Sequence, residues 1–267
     1  MAKVGIIGVG NMGAALVKGL SSLKQPTAIY VYDPEQSKVK TVQDANPQKI
    51  SSLPDELSVA KQSDYLILAV KPYLITSIIQ KIQPALDAQK CLISIAAGVS
   101  LDKIKQISQS SCSCVRIMPN TPTTIGKGVF ALCFDDPELS SNQKEFIQNC
   151  FQQIGKTYVL KESLFDAFTA LIGSGPAFVF LLLESFIQAG LTLGFSAEQS
   201  KEMVLALFEG SIALAQSSPK HVAQLKEMVA SPGGTTIYGL NQMEALNLKT
   251  AIIQGILASY KRSQELG

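Results

Sequence analysis

The sequence predicts a two-part chain, an α/β domain with a doubly wound parallel sheet followed by an all-α domain. From residue 3 to about 160, short β-rich apolar runs alternate with helical patterns. After about 162 the β signal fades, and apolar residues recur at helical spacing to the end. The composition changes near Lys161, so the expected domains are 1–161 and 162–267. A chain of 267 residues, 46% hydrophobic and 16% charged, can bury a sizeable core and is not disordered.

The first expected strand, "KVGIIGVG", runs into Gly8, Gly10, Asn11, Met12 and Gly13, and a helix follows at once. This is a G-x-G-x-x-G fingerprint. The first glycine makes a tight turn and the second lets a pyrophosphate approach the backbone. The third packs helix on strand, and the helix N-terminus supplies N–H donors. The second strand, "AIYVYD", ends at Asp33, about 20 residues past Gly13, where a carboxylate can reach an adenosine ribose. The first domain is therefore expected to be a Rossmann-like dinucleotide-binding domain.

Asp33 favours NAD(H) by accepting from both ribose hydroxyls and repelling a 2′-phosphate. Lys38 is read as a solvated charge at helical spacing. The strand "YLILAV" delivers Ala69, Val70, Lys71 and Pro72, and "CLISIAA" delivers Ala96, Ala97 and Gly98. In open α/β sheets ligands lie at these carboxyl ends. "CVRIMPN" leads to Asn120 in "RIMPNTPTTIGKG", read either as lining the nicotinamide or as a rigid turn, and "KGVFALCF" closes the strand set.

The second half reads as helices over "ESLFDAFTALIG", "GPAFVFLLLESFIQAGLTLG", "SAEQSKEMVLALFEGSIALAQ", "HVAQLKEMVA" and "NLKTAIIQGILASYKRSQEL", with a capping-box pattern at Ser196 and Gln199. One stretch interrupts them. "VASPGGTTIYGL" (229–240) sets Ser231, Gly233, Gly234, Thr235 and Thr236 at a helix start, where unencumbered N–H groups suit an anion such as a carboxylate. The alternative is a hydroxyl cap with a glycine turn.

Several function classes are excluded. A net charge of +2 with scattered basic residues gives no footprint for nucleic acid. The apolar run 176–195 carries Glu184 and Gln188 and is punctuated by Pro and Gly, so it reads as a buried or interface helix rather than a membrane span. Met1-Ala2-Lys3 leads directly into a strand pattern with no signal-peptide cleavage site. Five cysteines, an odd count without a C-x-x-C pair, suit the cytoplasm and unpaired buried thiols; Cys112 and Cys114 fall in a strand or at its edge. The single histidine, His221, lies in a polar connector at a helix start, so no metal site and no imidazole-centred triad is expected.

"GVGNMG", "LAVKP", "AAGVS", "RIMPNTP", "GSGPAF" and "SPGGTT", in this order and at these separations, resemble the pyrroline-5-carboxylate reductase family over essentially the whole chain. The resemblance implies reduction of the imine Δ1-pyrroline-5-carboxylate to L-proline, the last step of proline biosynthesis, with hydride from NADPH or NADH. It implies that the helical domain interlocks with a second subunit in a homodimer or larger homo-oligomer, completing the site. It further implies that the substrate carboxylate sits at the "SPGGTT" loop and that Thr236 lies near the imine nitrogen. Ser174 and the Gly175 backbone of "GSGPAF" would line the pocket.

This chain departs from the family pattern at Tyr32-Asp33-Pro34, at Asp55-Glu56 and at Met228. The first two set negative charge against a 2′-phosphate, and the third removes a polar side chain ahead of the loop. Two other readings remain, a non-catalytic NAD(P)-binding regulatory protein and a β-hydroxyacid-dehydrogenase-like oxidoreductase. The latter needs a catalytic lysine that "TALIGSGPAFVFLLLESF" lacks.

Overall fold

The structure is a computed structural model and describes residues 2–23 and 27–266. The first half runs β1 (Ala2–Ile7), α1 (Asn11–Ser21), β2 (Thr27–Tyr32), α2 (Gln36–Ala45), β3 (Ile50–Ser52), α3 (Glu56–Gln62) and β4 (Tyr65–Leu68). It continues with α4 (Ile75–Ile82), β5 (Cys91–Ser94), α5 (Leu101–Ile107), β6 (Ser113–Met118), β7 (Gly128–Cys133), α6 (Ser141–Gln152) and β8 (Gly155–Val159).

These strands form one sheet in the order β3-β2-β1-β4-β5-β6-β7-β8. Strand order reverses between β1 and β4, which opens a crevice at their carboxyl ends. Strands β1–β6 are mutually parallel, and all but β3 alternate their side chains between two apolar layers. Ile6, Ile29, Ile67, Ile93 and Val115 enter one layer, and Ile7, Leu66, Leu68, Leu92 and Cys114 enter the other. All five cysteines are buried and unpaired.

The structure corrects the expected all-parallel sheet at one place. β7 runs antiparallel to β6, with Ile117 opposite Leu132, and β8 runs parallel to β7. The connection from Met118 to Gly128 holds only a 3-10 turn at Thr121–Ile125, ended by Gly126 at φ 72°. That is too short for the crossover a parallel pair needs. The short edge strands β3 and β8 were not expected either; of β3 only Ile50 is buried, and β8 has no buried residue.

The second half holds α7 (Phe165–Phe168), a π turn at Thr169–Gly173, α8 (Gly175–Thr192), α9 (Ala197–Ser217), α10 (Val222–Val229), α11 (Thr235–Ala245) and α12 (Leu248–Leu266). The capping box at α9 forms as expected: the Gln199 N–H donates to Ser196 Oγ at 3.2 Å, and the Ser196 N–H donates to Gln199 Oε1 at 3.1 Å. His221 precedes α10, where its Nδ1 accepts from the Ala223 N–H at 3.2 Å.

Compact units part at Ser174–Gly175, later than the composition change at Lys161. The reason is packing, because Phe165 and Phe168 of α7 enter the second apolar layer of the sheet domain. The chain from Ser259 onward returns to this first unit, where the Ser263 hydroxyl donates to Asp166 at 2.7 Å. The other unit is 175–258.

Candidate active site

The glycine fingerprint forms a tight loop between β1 and α1. Gly8 sits at φ +94°, a left-handed conformation that favours glycine, and its N–H donates to the Tyr32 carbonyl at 2.8 Å. A Cβ at Gly13 would overlap the Gly8 carbonyl oxygen. Gly10 is the N-cap of α1 and has open space where a side chain would be. No side chain caps α1 and no acid lies in its first turn, so its first N–H groups and its positive end remain available to an anion.

Beside this loop lies a cleft of about 740 Å³ at the carboxyl ends of the parallel strands. Gly8, Gly10, Asn11 and Met12 line it from the loop, and Asp33 from the end of β2. Ala69, Val70, Lys71 and Pro72 line it after β4, and Ala96 and Ala97 after β5. Met118 and Pro119 close the far side. Gly13, Gly98 and Asn120 do not line it. Gly13 is buried under the loop, and Gly98 turns the chain at φ +70°. The Asn120 amide is used internally, accepting from the Val129 N–H at 2.9 Å and donating to the Ile172 carbonyl at 3.3 Å. Asn120 thus braces the loop after β6.

Two ion pairs, Glu35–Lys38 and Glu56–Lys81, stand at the cleft, and Asp33 is held there by backbone N–H groups. Asp33 is buried, with Oδ2 accepting from the Val9 N–H at 2.7 Å and Oδ1 from the Glu35 N–H at 2.9 Å. Lys38 lines the cleft as an exposed surface charge and pairs with Glu35 at 2.5 Å. The hydrogen bond that Lys38 donates to Glu35 raises its ammonium above its ordinary value. Glu56, nearly buried, also lines the cleft and is neutralised by Lys81 at 3.0 Å. Asp55, expected beside it, instead caps α3 by accepting from the Ser58 N–H at 2.7 Å. The contribution of α4, through Ser77, Ile78 and Lys81, was missed. Its helical spacing after "VKP" was the available signal.

Behind the cleft, Glu162 ties three segments together. Its Oε1 accepts from Arg116 Nη1 at 2.5 Å and from the Leu101 N–H at 2.6 Å, and its own N–H donates to Asp135 at 2.9 Å. The Arg116 guanidinium lies 4.9 Å from the Phe165 ring centroid. From here α7 and the π turn run back to the cleft end of β6, where Gly173 packs on the Met118 side chain. The Ser174 N–H donates to the Thr169 carbonyl at 2.8 Å, and the Ser259 hydroxyl donates to Ser174 Oγ at 3.3 Å. Gly175 opens α8 with free space beside its Cα.

The "SPGGTT" segment lies in the other unit. Gly233 takes φ +70°, and the Gly234 N–H donates to the Ser231 carbonyl at 3.1 Å. Gly234 is the N-cap of α11, and a Cβ there would collide with Ser231 Oγ. No side chain caps α11, so the cap reading has no hydrogen bond to support it. Thr235 is exposed and Thr236 half-buried in the first turn. Met228 Sδ accepts from Lys220 Nζ at 3.2 Å. Among the described residues no group of three or more His, Cys, Asp or Glu side chains could hold a metal ion.

A glycine cradle at the switch point of a doubly wound sheet, followed by a helical domain, defines a two-domain NAD(P)-dependent oxidoreductase architecture. Residues 3–98 match the family model described as "NADP oxidoreductase coenzyme F420-dependent", and residues 162–266 match "Pyrroline-5-carboxylate reductase dimerisation". The chain belongs to the pyrroline-5-carboxylate reductase family. It is 35% identical to the pyrroline-5-carboxylate reductase of Aquifex aeolicus, covering 99% of this chain and 97% of that one. It is 34% identical to the Synechocystis enzyme, covering 99% and 98%. The crystal structure of Plasmodium falciparum pyrroline carboxylate reductase with NADP bound superposes with a TM-score of 0.90 at 32% identity, covering 100% of this chain and 98% of that one.

Proposed function

We propose that this protein reduces Δ1-pyrroline-5-carboxylate to L-proline, the last step of proline biosynthesis, with NADH or NADPH as reductant. The observation that carries the reading is the uncapped start of α11, with Gly233 and Gly234 before it and Thr235 and Thr236 in its first turn. Such a terminus suits the substrate carboxylate. Thr236 then hydrogen-bonds the ring nitrogen and supplies or relays the proton that nitrogen takes up. Ser231, Thr235, Ser174 and the Gly175 backbone surround the small ring.

The reduced nicotinamide supplies a hydride to the imine carbon. The first-turn N–H groups of α1, reached past Gly10, would hold the pyrophosphate, and Asp33 would face the adenosine ribose. Ala69 to Pro72 and Ala96–Ala97 would flank the cofactor, with no side chain large enough at the alanines to block it. The functional division we assign is 1–161 for the dinucleotide and 162–267 for substrate and dimerisation. The reading includes a homodimer or larger assembly with intertwined helical domains, working in the cytoplasm. The exposed apolar faces of α8 and α9 support it, since they need a partner surface.

Initial rates of NADH and NADPH oxidation with Δ1-pyrroline-5-carboxylate test this directly. Turnover by the wild type and a kcat about 100-fold lower in Thr236→Ala are expected. Undiminished turnover in that variant would remove Thr236 as the proton source. Cofactor binding without turnover would make the protein a non-catalytic nucleotide-binding regulator.

A further inference from the structure

We propose that Asp33 is a positioning residue of the glycine loop as well as the residue that faces the ribose. Its carboxylate anchors Val9 and so holds the Gly8–Gly13 cradle in its anion-binding shape. The inference deepens the cofactor reading above and rests on it only for the identity of the ligand.

Val9 is 2% exposed, so its N–H has little access to water and needs a protein acceptor. That acceptor is Asp33 Oδ2 at 2.7 Å. The preceding N–H, of Gly8, is taken by the Tyr32 carbonyl at 2.8 Å. Two consecutive loop amides are therefore tied to the end of β2, and the next donors, in the first turn of α1, are left to a ligand. The Gly8 carbonyl is fixed in turn, lying where a Cβ of Gly13 would be. One side chain thus links strand, loop and helix. With one oxygen on Val9 and the other on Glu35, the carboxylate is held in orientation at the cleft that Asp33 lines, and each oxygen keeps a further lone pair to accept with.

A residue that only selects between nucleotides gives a simple substitution pattern: removing its charge weakens NADH and strengthens NADPH. An anchor behaves differently. Asp33→Ala leaves the Val9 N–H buried without an acceptor, so the cradle loosens for both nucleotides. Asp33→Asn keeps one carbonyl oxygen. The buried Val9 N–H takes it, whereas Glu35 is exposed and its N–H can turn to water. The Asn variant therefore separates the anchor from the charge.

The test uses the full chain with two readouts. One is hydrogen exchange at the Val9 amide without cofactor, and the other is calorimetric titration with NADH and with NADPH. In Asp33→Ala, Val9 exchange and the Kd of both nucleotides are expected to rise about tenfold or more, from the loss of a charge-assisted hydrogen bond. In Asp33→Asn, Val9 stays protected and affinity shifts toward NADPH. Unchanged Val9 exchange in Asp33→Ala, or NADPH binding that tightens there as NADH weakens, overturns the proposal. If the Ala variant does not fold, the Asn variant decides: a protected Val9 with both affinities about tenfold weaker also overturns it. Should the wild type bind neither nucleotide, the cofactor reading fails, and Val9 exchange still decides the anchor.

Discussion

The two compact units differ in what their own residues can bury. Up to Ser174 the chain closes two continuous apolar layers over a sheet, with Phe130 and Phe151 fully enclosed and in edge contact. From Gly175 to Ala258, only Val204 and Ser200 are buried among the described residues. Phe180, Leu181, Leu193, Leu207 and Tyr238 lie open instead. The run Glu162–Thr192 is long and apolar enough to cross a membrane by length and composition, yet it falls in the family's dimerisation region. The first unit carries its core within one chain. The second has apolar surface that self-association must cover, so its stability depends on protein concentration.

The sharpest way to break this contrast is to damage each side separately. Phe130→Ala should lower the unfolding free energy by about 4 kcal/mol through a core cavity. Urea titration would read the loss, while light scattering should find the oligomer mass unchanged. Leu181→Asp should do the reverse, weakening self-association by about 3 kcal/mol, or more than 100-fold. Sedimentation would report it, and nucleotide binding by the first unit should survive. If Leu181→Asp left the assembly intact, the open helical face would need a different occupant.

A smaller effect comes from acid. Burial works to raise the Asp136 carboxyl, but Lys105 at 2.6 Å and the N–H groups of Cys114 and Glu138 outweigh it and hold the carboxyl below its ordinary value. A folded value below the unfolded one gives stability that is present above about pH 4 and fades as pH falls through the folded value. Urea midpoints measured between neutral pH and pH 3 should show this acid arm, and Asp136→Asn should flatten it. The smallest effect concerns thiols. Burial pushes Cys91 and Cys150 up to about 12, so alkylation of the native protein near pH 8 should be slow and should track unfolding.

Legibility in the sequence followed the same contrast. Long apolar runs such as "KVGIIGVG" and "YLILAV" announced themselves because both faces of a central parallel strand are buried. Ile50–Ser52 and Gly155–Val159 did not, being short or exposed edge strands without that signature. Most positions lining the cleft were legible because they sit at strand ends with small residues, and Asp33 was legible by its spacing from the glycines. Its bond to Val9 was not, since it depends on how β2 approaches the loop in space. Nor was the Glu56–Lys81 pair, whose charges meet only when α3 and α4 pack side by side, whereas Glu35 and Lys38 pair locally three residues apart at the start of α2. The Lys161 composition break marks where strands stop, whereas the compact units part thirteen residues later, after α7 has packed on the sheet.

The reversed strand β7 acts as a parity switch for the path of the chain. Strands β1 to β6 all point toward the cleft, so a seventh strand pointing the same way would leave the chain there, and the next helix would carry it off. Because β7 and β8 point away, α7 and the π turn must climb back, and they arrive with Gly173 against Met118 at the rim of the cleft. One short connection, ended by Gly126, thereby decides at which pole of the sheet Ser174 emerges. Lengthening that connection enough to admit a parallel crossover would invert the parity and deliver Gly173 to the opposite pole.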